Sequence, residues 1–583
     1  MSPIWLILAC TLGDAPPRPA PITTDFAMES DPVLPGLTTI NVHSPKYLPL
    51  WLQALDRPEA DLQRLAAETV AQAHLVGVPK MIETKPALVR IVSTKASHPA
   101  ARFTAARALI VLDAKDAAPE LFQAAQQHGD NVRQLVEPAL ARWKYAPAFD
   151  VWRKRLTSAE VNHRDLMLAV RLLGDARDRS VLPQLLAILN ARERLDAERL
   201  AAARAAGQLA ETGLEGDAQK CGASGAKTVD RHCAAALLER HTSDPAKMLL
   251  LALAADPEPS VATAALRRLN AIDYSLVLPL AEKAMQSPDS GVRREGARAY
   301  AARPSVERIK TLGKRLDDSH LGVRAMVRED FRQLAGDPQW DDAVRQTATA
   351  ALAAESWRSQ EQAALLLGHL DHKAAAPRLV KLLDSPRSEV MIASAWALRK
   401  LALRETLPDL LKKASYLTDL RLRRASYDPL DLQAAHLFEA LGQMQYEPAE
   451  PLMRRYVAKN SAMGEYSRSA AIWGLGLLHV GKPDDALASA IVGRVTEPSS
   501  AIPPEMTRIR LAGAIALGKM KAKPQSKALR DFLREAGGGN LYLAIRWSLR
   551  EINGEEIPLP DPFPISKGGW FLEPLDIIES AAP

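Results

Sequence analysis

Two short stretches of the sequence carry residue types that could do chemistry. His369 and His372 stand three positions apart with Asp371 between them, a spacing at which two imidazoles could share a metal ion. Residues 222–228 (Gly-Ala-Ser-Gly-Ala-Lys-Thr) partly resemble a phosphate-binding loop, but Ala226 stands where that motif has a glycine. A bare histidine pair is also common in exposed turns. We therefore expect no catalytic residue, no metal and no cofactor.

Cysteine usage gives a second chemical indication. The chain has three cysteines, and the loss of Cys10 with a cleaved signal would leave Cys221 and Cys233. An even pair in an exported protein predicts a disulfide, which here would close a polar, glycine-containing loop. Two free thiols are the alternative, and a metal site shared with His232 and His241 is a third, although no Cys-x-x-Cys spacing supports it.

The N-terminus predicts a targeting segment. Residues 4–12 are apolar and small residues follow, so residues 1–15 are predicted to be a secretory signal even though no Lys or Arg precedes them. The protein would then be exported, to the periplasm or cell envelope, and it would be cytoplasmic if this segment is not a signal. Residues 7–10 (Ile-Leu-Ala-Cys) also resemble the lipobox of bacterial lipoproteins, which implies an alternative lipid anchor at Cys10. No later stretch reaches the 18 or so unbroken apolar residues of a spanning helix.

Composition bounds the fold and the partner. Of the 583 residues, 47% are apolar and only 5% aromatic, a balance that favours closely packed helices over β-sandwiches. Collagen-like, disordered and multi-span membrane proteins are excluded. The net charge of +6 is small for this length and gives weak grounds for a nucleic-acid partner.

A repeat of about 32 residues runs through the chain. Val261, Val292, Val323 and Val390 each follow an Asp or Ser by five positions, and the first three are 31 residues apart. Apolar residues follow each valine at spacings of three and four, which predicts one buried face of a helix. The Asp or Ser can cap the start of that helix.

Prolines mark a second helix in each repeat. Proline suits the first turn of a helix, where its missing N–H would be unpaired anyway. The gaps between successive prolines include 33, 36, 34, 31 and 32 residues. The prolines of this series are Pro49, Pro86, Pro119, Pro147, Pro183, Pro245, Pro279, Pro377, Pro408, Pro451, Pro483 and Pro524.

These helix pairs resemble the HEAT repeat, particularly the short bacterial variety first noted in phycobilin lyases. The resemblance implies an all-α solenoid of about 15 helix pairs over residues 45–553, because stacked pairs supply one another's missing core. We expect a proline-rich linker at 16–44, a loop insertion near 213–233 and an irregular segment at 415–445. Residues 554–583 would form a proline-rich tail that caps the last pair or, alternatively, binds another protein.

The resemblance also assigns a structural role to the arginines that follow two of the valines. Arg293 and Arg324, and likewise Arg133, match the ladder position of HEAT repeats, where an arginine bonds the breaks of neighbouring repeats. Val261, Val292, Val323 and Val390 are the matching core positions.

The predicted function is that of a non-enzymatic scaffold that binds another protein on the surface of its stacked second helices. A cluster beside two tyrosines forms the candidate partner surface: Tyr416, Arg421, Arg423, Arg424 and Tyr427. An enzyme or accessory protein similar to the HEAT-like bilin lyases is the main alternative. A nucleic-acid-binding protein similar to the HEAT-like DNA glycosylases is the second.

Overall fold

The computed structural model describes residues 22–37, 39–41, 43–423, 428–460 and 462–565. Some of the predicted features lie outside these residues: the signal at 1–15, Cys10, Arg424, Tyr427 and the end of the predicted tail. The chain divides into two compact units. Unit 1 contains Met1–Pro35 and Pro304–Leu559, and unit 2 contains Gly36–Arg303 and Pro560–Pro583.

Unit 2 is a stack of helix pairs with one small parallel ribbon. The ribbon joins strand β1 (Thr39–Asn41) to strand β2 (Phe563–Ile565), with Ile40 opposite Pro564. The helices are α1 (Leu48–Asp56), α2 (Ala60–Leu75), α3 (Lys85–Ser93), α4 (Pro99–Val111), α5 (Ala118–Gln127), α6 (Asp130–Arg142), α7 (Ala146–Thr157), α8 (His163–Asp175), α9 (Leu182–Asn190), α10 (Asp196–Leu209), α11 (Glu215–Cys221), α12 (Thr228–Leu237), α13 (Asp244–Ala254), α14 (Pro259–Ile272), α15 (Leu278–Met285) and α16 (Ser290–Ala302). Short 3-10 turns lie at Pro45–Tyr47, Met81–Thr84, Lys115–Ala117, Arg179–Val181 and Tyr274–Leu276.

Unit 1 repeats the same plan. Its helices are α17 (Val306–Gly313), α18 (Leu321–Leu334), α19 (Pro338–Ala353), α20 (Trp357–His369), α21 (Ala376–Leu382), α22 (Ser388–Leu401), α23 (Leu407–Arg423), α24 (Asp428–Gln443), α25 (Glu450–Arg454), α26 (Glu465–Leu478), α27 (Asp485–Val495), α28 (Thr507–Met520), α29 (Ser526–Phe532) and α30 (Asn540–Asn553). Its 3-10 turns lie at Ala27–Glu29, Lys314–Asp317, Lys373–Ala375, Arg404–Thr406, Glu447–Ala449 and Lys523–Gln525.

Each unit is an α-solenoid of two helix layers. The odd-numbered helices open the pairs, and the even-numbered second helices pack side by side from α2 to α16 in unit 2 and from α18 to α30 in unit 1. The thirty helices of the described residues make fifteen pairs, as the sequence predicts. Prolines stand in the first turn of first helices such as α3 and α21, and the four marker valines are buried in α14, α16, α18 and α22.

The ladder arginines bond mainly within their own pair. Arg293 donates to the carbonyl oxygens of Ser287 (3.0 Å) and Pro288 (2.8 Å), both in the break before its helix. Arg324 bonds the break before α18 in the same way. Only part of the expected pattern crosses between repeats, as where Arg133 pairs with a carboxylate of the next pair. The arginines therefore brace the turn that joins the two helices of one pair.

The expected loop insertion near 213–233 is wrong. Residues 213–233 form most of the pair α11 and α12. The described part of the segment 415–445 lies mainly in α23 and α24, and residues 424–427 lie outside the described residues. The first stretch is polar and contains glycine, but the buried positions of its two helices, Ala218 and Cys221 in α11 and Cys233 and Leu237 in α12, keep helical spacing. Because residues 213–233 are polar overall, their composition does not indicate the two short amphipathic helices.

The expected disulfide is not formed. Cys221 and Cys233 are free, buried thiols, the first at the end of α11 and the second within α12. Burial raises the pKa of Cys221, and it raises the pKa of Cys233 to about 12. Both sulfurs serve as small apolar side chains in the helix packing.

The second helices approach most closely where small residues meet. A Cβ on Gly207 of α10 would lie 2.0 Å from the carbonyl oxygen of Ala236 in α12. We expect Gly207→Ala to lower the free energy of unfolding by about 1–3 kcal/mol, because backbone cannot move aside as a flexible side chain can. Denaturant titration of the full chain measures this. Gly216→Ala is the matched control, since nothing lies within 4 Å of its added Cβ, and an equal loss there would contradict the prediction.

Candidate functional site

The most distinctive surface of unit 1 is already covered by a segment of its own chain. Residues 22–31 (Ile-Thr-Thr-Asp-Phe-Ala-Met-Glu-Ser-Asp), here called the docked segment, belong to the region that composition predicts as a linker. They lie along the second helices of unit 1, and Ile22, Ala27 and Met28 are buried there. The surface that they cover is here called the second-helix face. It consists of Arg328, Glu329, Trp396, Arg399, Lys400, His436, Glu439, Tyr466, Trp473, Arg508 and Lys519.

The first contact holds the backbone of the segment at α18. The N–H of Ile22 donates to the Glu329 carboxylate (3.0 Å), and the Ile22 carbonyl accepts from the Arg328 guanidinium (3.2 Å). Arg328 is also fixed from the other side by Gln362 of α20 (3.1 Å). Both polar groups of one peptide residue are thus satisfied by side chains, which is how an extended strand outside a sheet is held.

Asp25 forms the second contact, at α22. Its carboxylate accepts from the Trp396 indole (2.8 Å) and pairs with Lys400 (3.2 Å), while Arg399 donates to its carbonyl oxygen (2.5 Å). Burial alone would raise the pKa of the Asp25 carboxyl, but the hydrogen bonds and positive charges of these side chains hold it below its usual value. The contact therefore selects an ionised carboxylate.

Phe26 lies in an aromatic slot between α24 and α26. Its ring stacks on His436 with centroids 4.4 Å apart and planes 10° apart, and its centroid lies 4.9 Å from that of Tyr466. The Arg508 guanidinium covers the Tyr466 ring at 4.3 Å. Burial lowers the pKa of His436, which favours the neutral imidazole that stacks best on an apolar ring.

A fully buried carboxylate joins the segment to the slot. Glu439 accepts from the N–H of Met28 (2.9 Å), pairs with Arg399 (3.2 Å) and lies 3.3 Å from the Nδ1 of His436. Arg399 is itself only 3% exposed. Two buried charges therefore neutralise each other, and both also hold the backbone of the docked segment.

The last contacts are again acidic. Glu29 pairs with Arg508 of α28, and the Asp31 carboxylate pairs with Lys519 at 2.8 and 3.0 Å. The Asp31 carbonyl accepts from the Trp473 indole (3.0 Å). From α18 to α28 the face thus holds backbone groups, one aromatic ring and three carboxylates of a single peptide.

The predicted partner surface is only partly exposed to solvent. Arg421 is buried, because its guanidinium bonds the Asp431 carboxylate and the Ser467 hydroxyl at 2.9 Å each, so its assignment to a partner surface is wrong. Tyr416 and Arg423 are exposed, and neither has a described contact with the docked segment. Arg424 and Tyr427 lie outside the described residues.

The sequence signal for the second-helix face is weak but present. Glu329, Trp396, His436 and Trp473 are each the ninth residue of their helix, as the bounds of α18, α22, α24 and α26 show. Without those bounds, the four residues have unequal spacings and no common type. Within the described part of the chain, no group of three or more His, Cys, Asp or Glu side chains is placed to hold a metal ion, and no helix is long and apolar enough to cross a membrane.

Comparison with known proteins agrees with the fold. The family described as HEAT repeats matches residues 246–331 and 345–431. Kap95p, in a structure with RanGDP, is 13% identical with a TM-score of 0.52, covering 86% of this chain and 72% of Kap95p. Importin beta is 15% identical with a TM-score of 0.47, covering 87% of this chain and 73% of that one.

No curated protein sequence matches the chain significantly. The chain is an all-α solenoid that contains HEAT repeats, and its fold is similar to that of Kap95p.

Proposed function

We propose that the chain is a non-enzymatic protein-binding scaffold whose second-helix face binds an extended peptide of another protein. The observation that carries the proposal is the docked segment, which the face holds through backbone, aromatic and carboxylate contacts together. A partner peptide of the same chemistry would carry an aromatic residue beside one acidic residue and before others, as in Asp25-Phe26-Ala-Met-Glu29-Ser-Asp31. The structural neighbour Kap95p binds RanGDP, so a solenoid of this kind is suited to holding another protein.

The contacts are suited to an exchangeable ligand. Asp25, Glu29 and Asp31 are paired near the surface, where an ion pair contributes only about 0–1 kcal/mol. Phe26 and Met28 supply the apolar part, on the order of 1.5–3 kcal/mol for each side chain buried. The segment is part of the same chain as the face, so it competes with free partners at an effective concentration that does not change on dilution.

Competition in trans tests the proposal. A fluorescent peptide of residues 22–33 is titrated with the parent chain and with an Asp25→Ala/Phe26→Ala variant, whose own segment is weakened. We expect the variant to bind the peptide at least tenfold more tightly than the parent, because its face is vacated, with anisotropy as the readout. Adding Lys519→Glu to the variant removes the partner of Asp31 and should reverse part of that gain.

The controls separate recognition from charge. A peptide with alanine in place of Phe26 and Asp31 should not bind the weakened variant, and circular dichroism confirms that each variant is folded. If the folded variant does not bind the parent peptide, residues 22–31 are a permanent part of the core and the proposal is wrong. A purified chain with chromophore absorbance would instead favour the bilin-lyase alternative.

A further inference from the structure

Arginines recur at one repeat position in unit 2. The ninth residue of a second helix is arginine in five of the seven pairs from α3 to α16, and the row keeps the repeat spacing, with steps of 64, 33, 63 and 31 residues. Only α6 and α12 interrupt it, with Pro138 and Ala236. The arginine row consists of Arg107 (α4), Arg171 (α8), Arg204 (α10), Arg267 (α14) and Arg298 (α16).

The same repeat position already holds a peptide in unit 1. There the ninth residues Glu329, Trp396 and Trp473 hydrogen-bond the docked segment, and His436 stacks on Phe26. The position therefore faces the binding side of a second helix wherever contacts with a peptide are seen. In the five pairs of unit 2 named above it is an arginine, the cation that best matches carboxylates in two-point hydrogen bonds.

The centre of the row is open and uncompensated. Arg171 and Arg204 line a pocket of about 490 Å³ between α8 and α10, together with Arg164 and the half-buried Met167. All three arginines are exposed, and within the described residues none of them forms an ion pair or hydrogen bond. Asp175 is the only carboxylate that lines this pocket in the described structure.

Two further members of the row are partly neutralised. Arg298 pairs with Glu295 at 2.8 Å, and Arg267 lies 3.8 Å from the same carboxylate. Two exposed guanidiniums thus share one buried anion, so this end of the row also carries surplus positive charge. Like charges held on rigid helices repel one another, and a ligand that brings carboxylates relieves that repulsion.

Neighbouring packed helices lie about 8–10 Å apart, which equals about three residues of extended chain at 3.3 Å each. We propose that the arginine row is a second interaction surface, which binds an extended acidic segment of another protein. Carboxylates about three residues apart would meet the arginines of adjacent pairs, and carboxylates about six residues apart would meet those on either side of α6 or α12. Met167 would contact an apolar side chain between them. The arginine row belongs to unit 2 alone, so this proposal can be tested independently of the proposal for the second-helix face of unit 1.

A charge-reversal experiment tests this. The probe is a fluorescein-labelled dodecamer of glutamate, titrated at low salt with the full chain and with Arg171→Glu/Arg204→Glu. We expect the double variant to lose at least tenfold in affinity, since two of the three unpaired arginines of the pocket become anions. The control is Lys154→Glu/Arg179→Glu, which changes the net charge equally at two exposed positions outside the pocket lining. It should keep most of the affinity.

Three outcomes overturn the proposal. The parent chain could leave the oligoglutamate unbound, or the control could lose as much affinity as the pocket variant, which would reduce binding to a general charge effect. Tighter binding of a single-stranded DNA dodecamer, lost in the same variant and steeply weakened by salt, would assign the row to nucleic acid instead. In each case binding of the 22–33 peptide to the segment-weakened variant of unit 1 stays as it was, so failure here leaves the first proposal separately tested.

Discussion

Replacing Glu439 with alanine is expected to lower the free energy of unfolding of unit 1 by about 3 kcal/mol and to release the docked segment. Among the described residues, loss of the fully buried Glu439 carboxylate leaves Arg399 with one other carboxylate partner, that of the half-exposed Asp25 at 3.4 Å, whose carbonyl oxygen it also bonds. The N–H of Met28 also loses its acceptor. A buried cation without its partner costs more than the lost attraction, because its desolvation is no longer offset.

Two measurements separate stability from release. Denaturant titration gives the loss in unfolding free energy, and hydrogen exchange of residues 22–31 reports whether the segment leaves the face. Glu439→Gln should be milder, since an amide oxygen still accepts from Met28 while the charge is lost. Glu405→Ala, an exposed position in the same unit, should be nearly neutral. If Glu439→Ala costs no more than Glu405→Ala, the buried charge pair does not stabilise the unit.

The repeat architecture could be predicted because two independent signals agree. A proline in the first turn, as at Pro377, and a buried valine in the second helix, as at Val390, are both local consequences of helix physics. Their common period of about 32 residues gives the pair count without knowledge of the path of the chain. The segment most clearly marked by both, 374–401, folds as the predicted pair α21 and α22.

The docked segment could not be predicted from the same signals. Its partners lie far along the chain, with Asp25 bound 371 residues away by Trp396 and Asp31 bound 488 residues away by Lys519. Each partner follows the local rules of its own helix and gives no sign of a common ligand. The proline-rich composition of 16–44 predicts a linker, but it carries no information on whether such a segment is free or bound.

Single basic residues are the other limit of sequence reasoning. A lysine or arginine in a polar stretch is exposed far more often than buried, so Arg421 and Arg423 are expected to share one surface. Burial of the first depends on Asp431 of the next helix and Ser467 of the next pair, which meet it only through the fold. Arg421 and Arg423 are two positions apart on one helix, and yet the first is a structural cation while the second is solvated.

Arg421→Ala is accordingly expected to destabilise unit 1 by about 3–5 kcal/mol, because it removes a side chain that is 1% exposed and leaves the buried Asp431 carboxylate without its cation. That carboxylate also accepts from the N–H groups of Tyr466 and Ser467, at the start of α26. Loss of Arg421 should therefore loosen the helix that forms one wall of the Phe26 slot. Thermal and denaturant unfolding measure the stability, and hydrogen exchange in α26 reports the local effect.

Arg423→Ala provides the matched control, since it removes the same side chain two residues later at an exposed position of the same helix. It should change the free energy of unfolding by less than about 0.5 kcal/mol. Arg421→Lys should recover part of the stability, because an ammonium restores the charge but not the length and planar shape of the guanidinium, whose Nη1 bonds both Asp431 and Ser467. If both alanine variants had equally small effects, Arg421 would be solvent-exposed, as the sequence predicts. The buried ion pair of Arg421 with Asp431 would then be wrong.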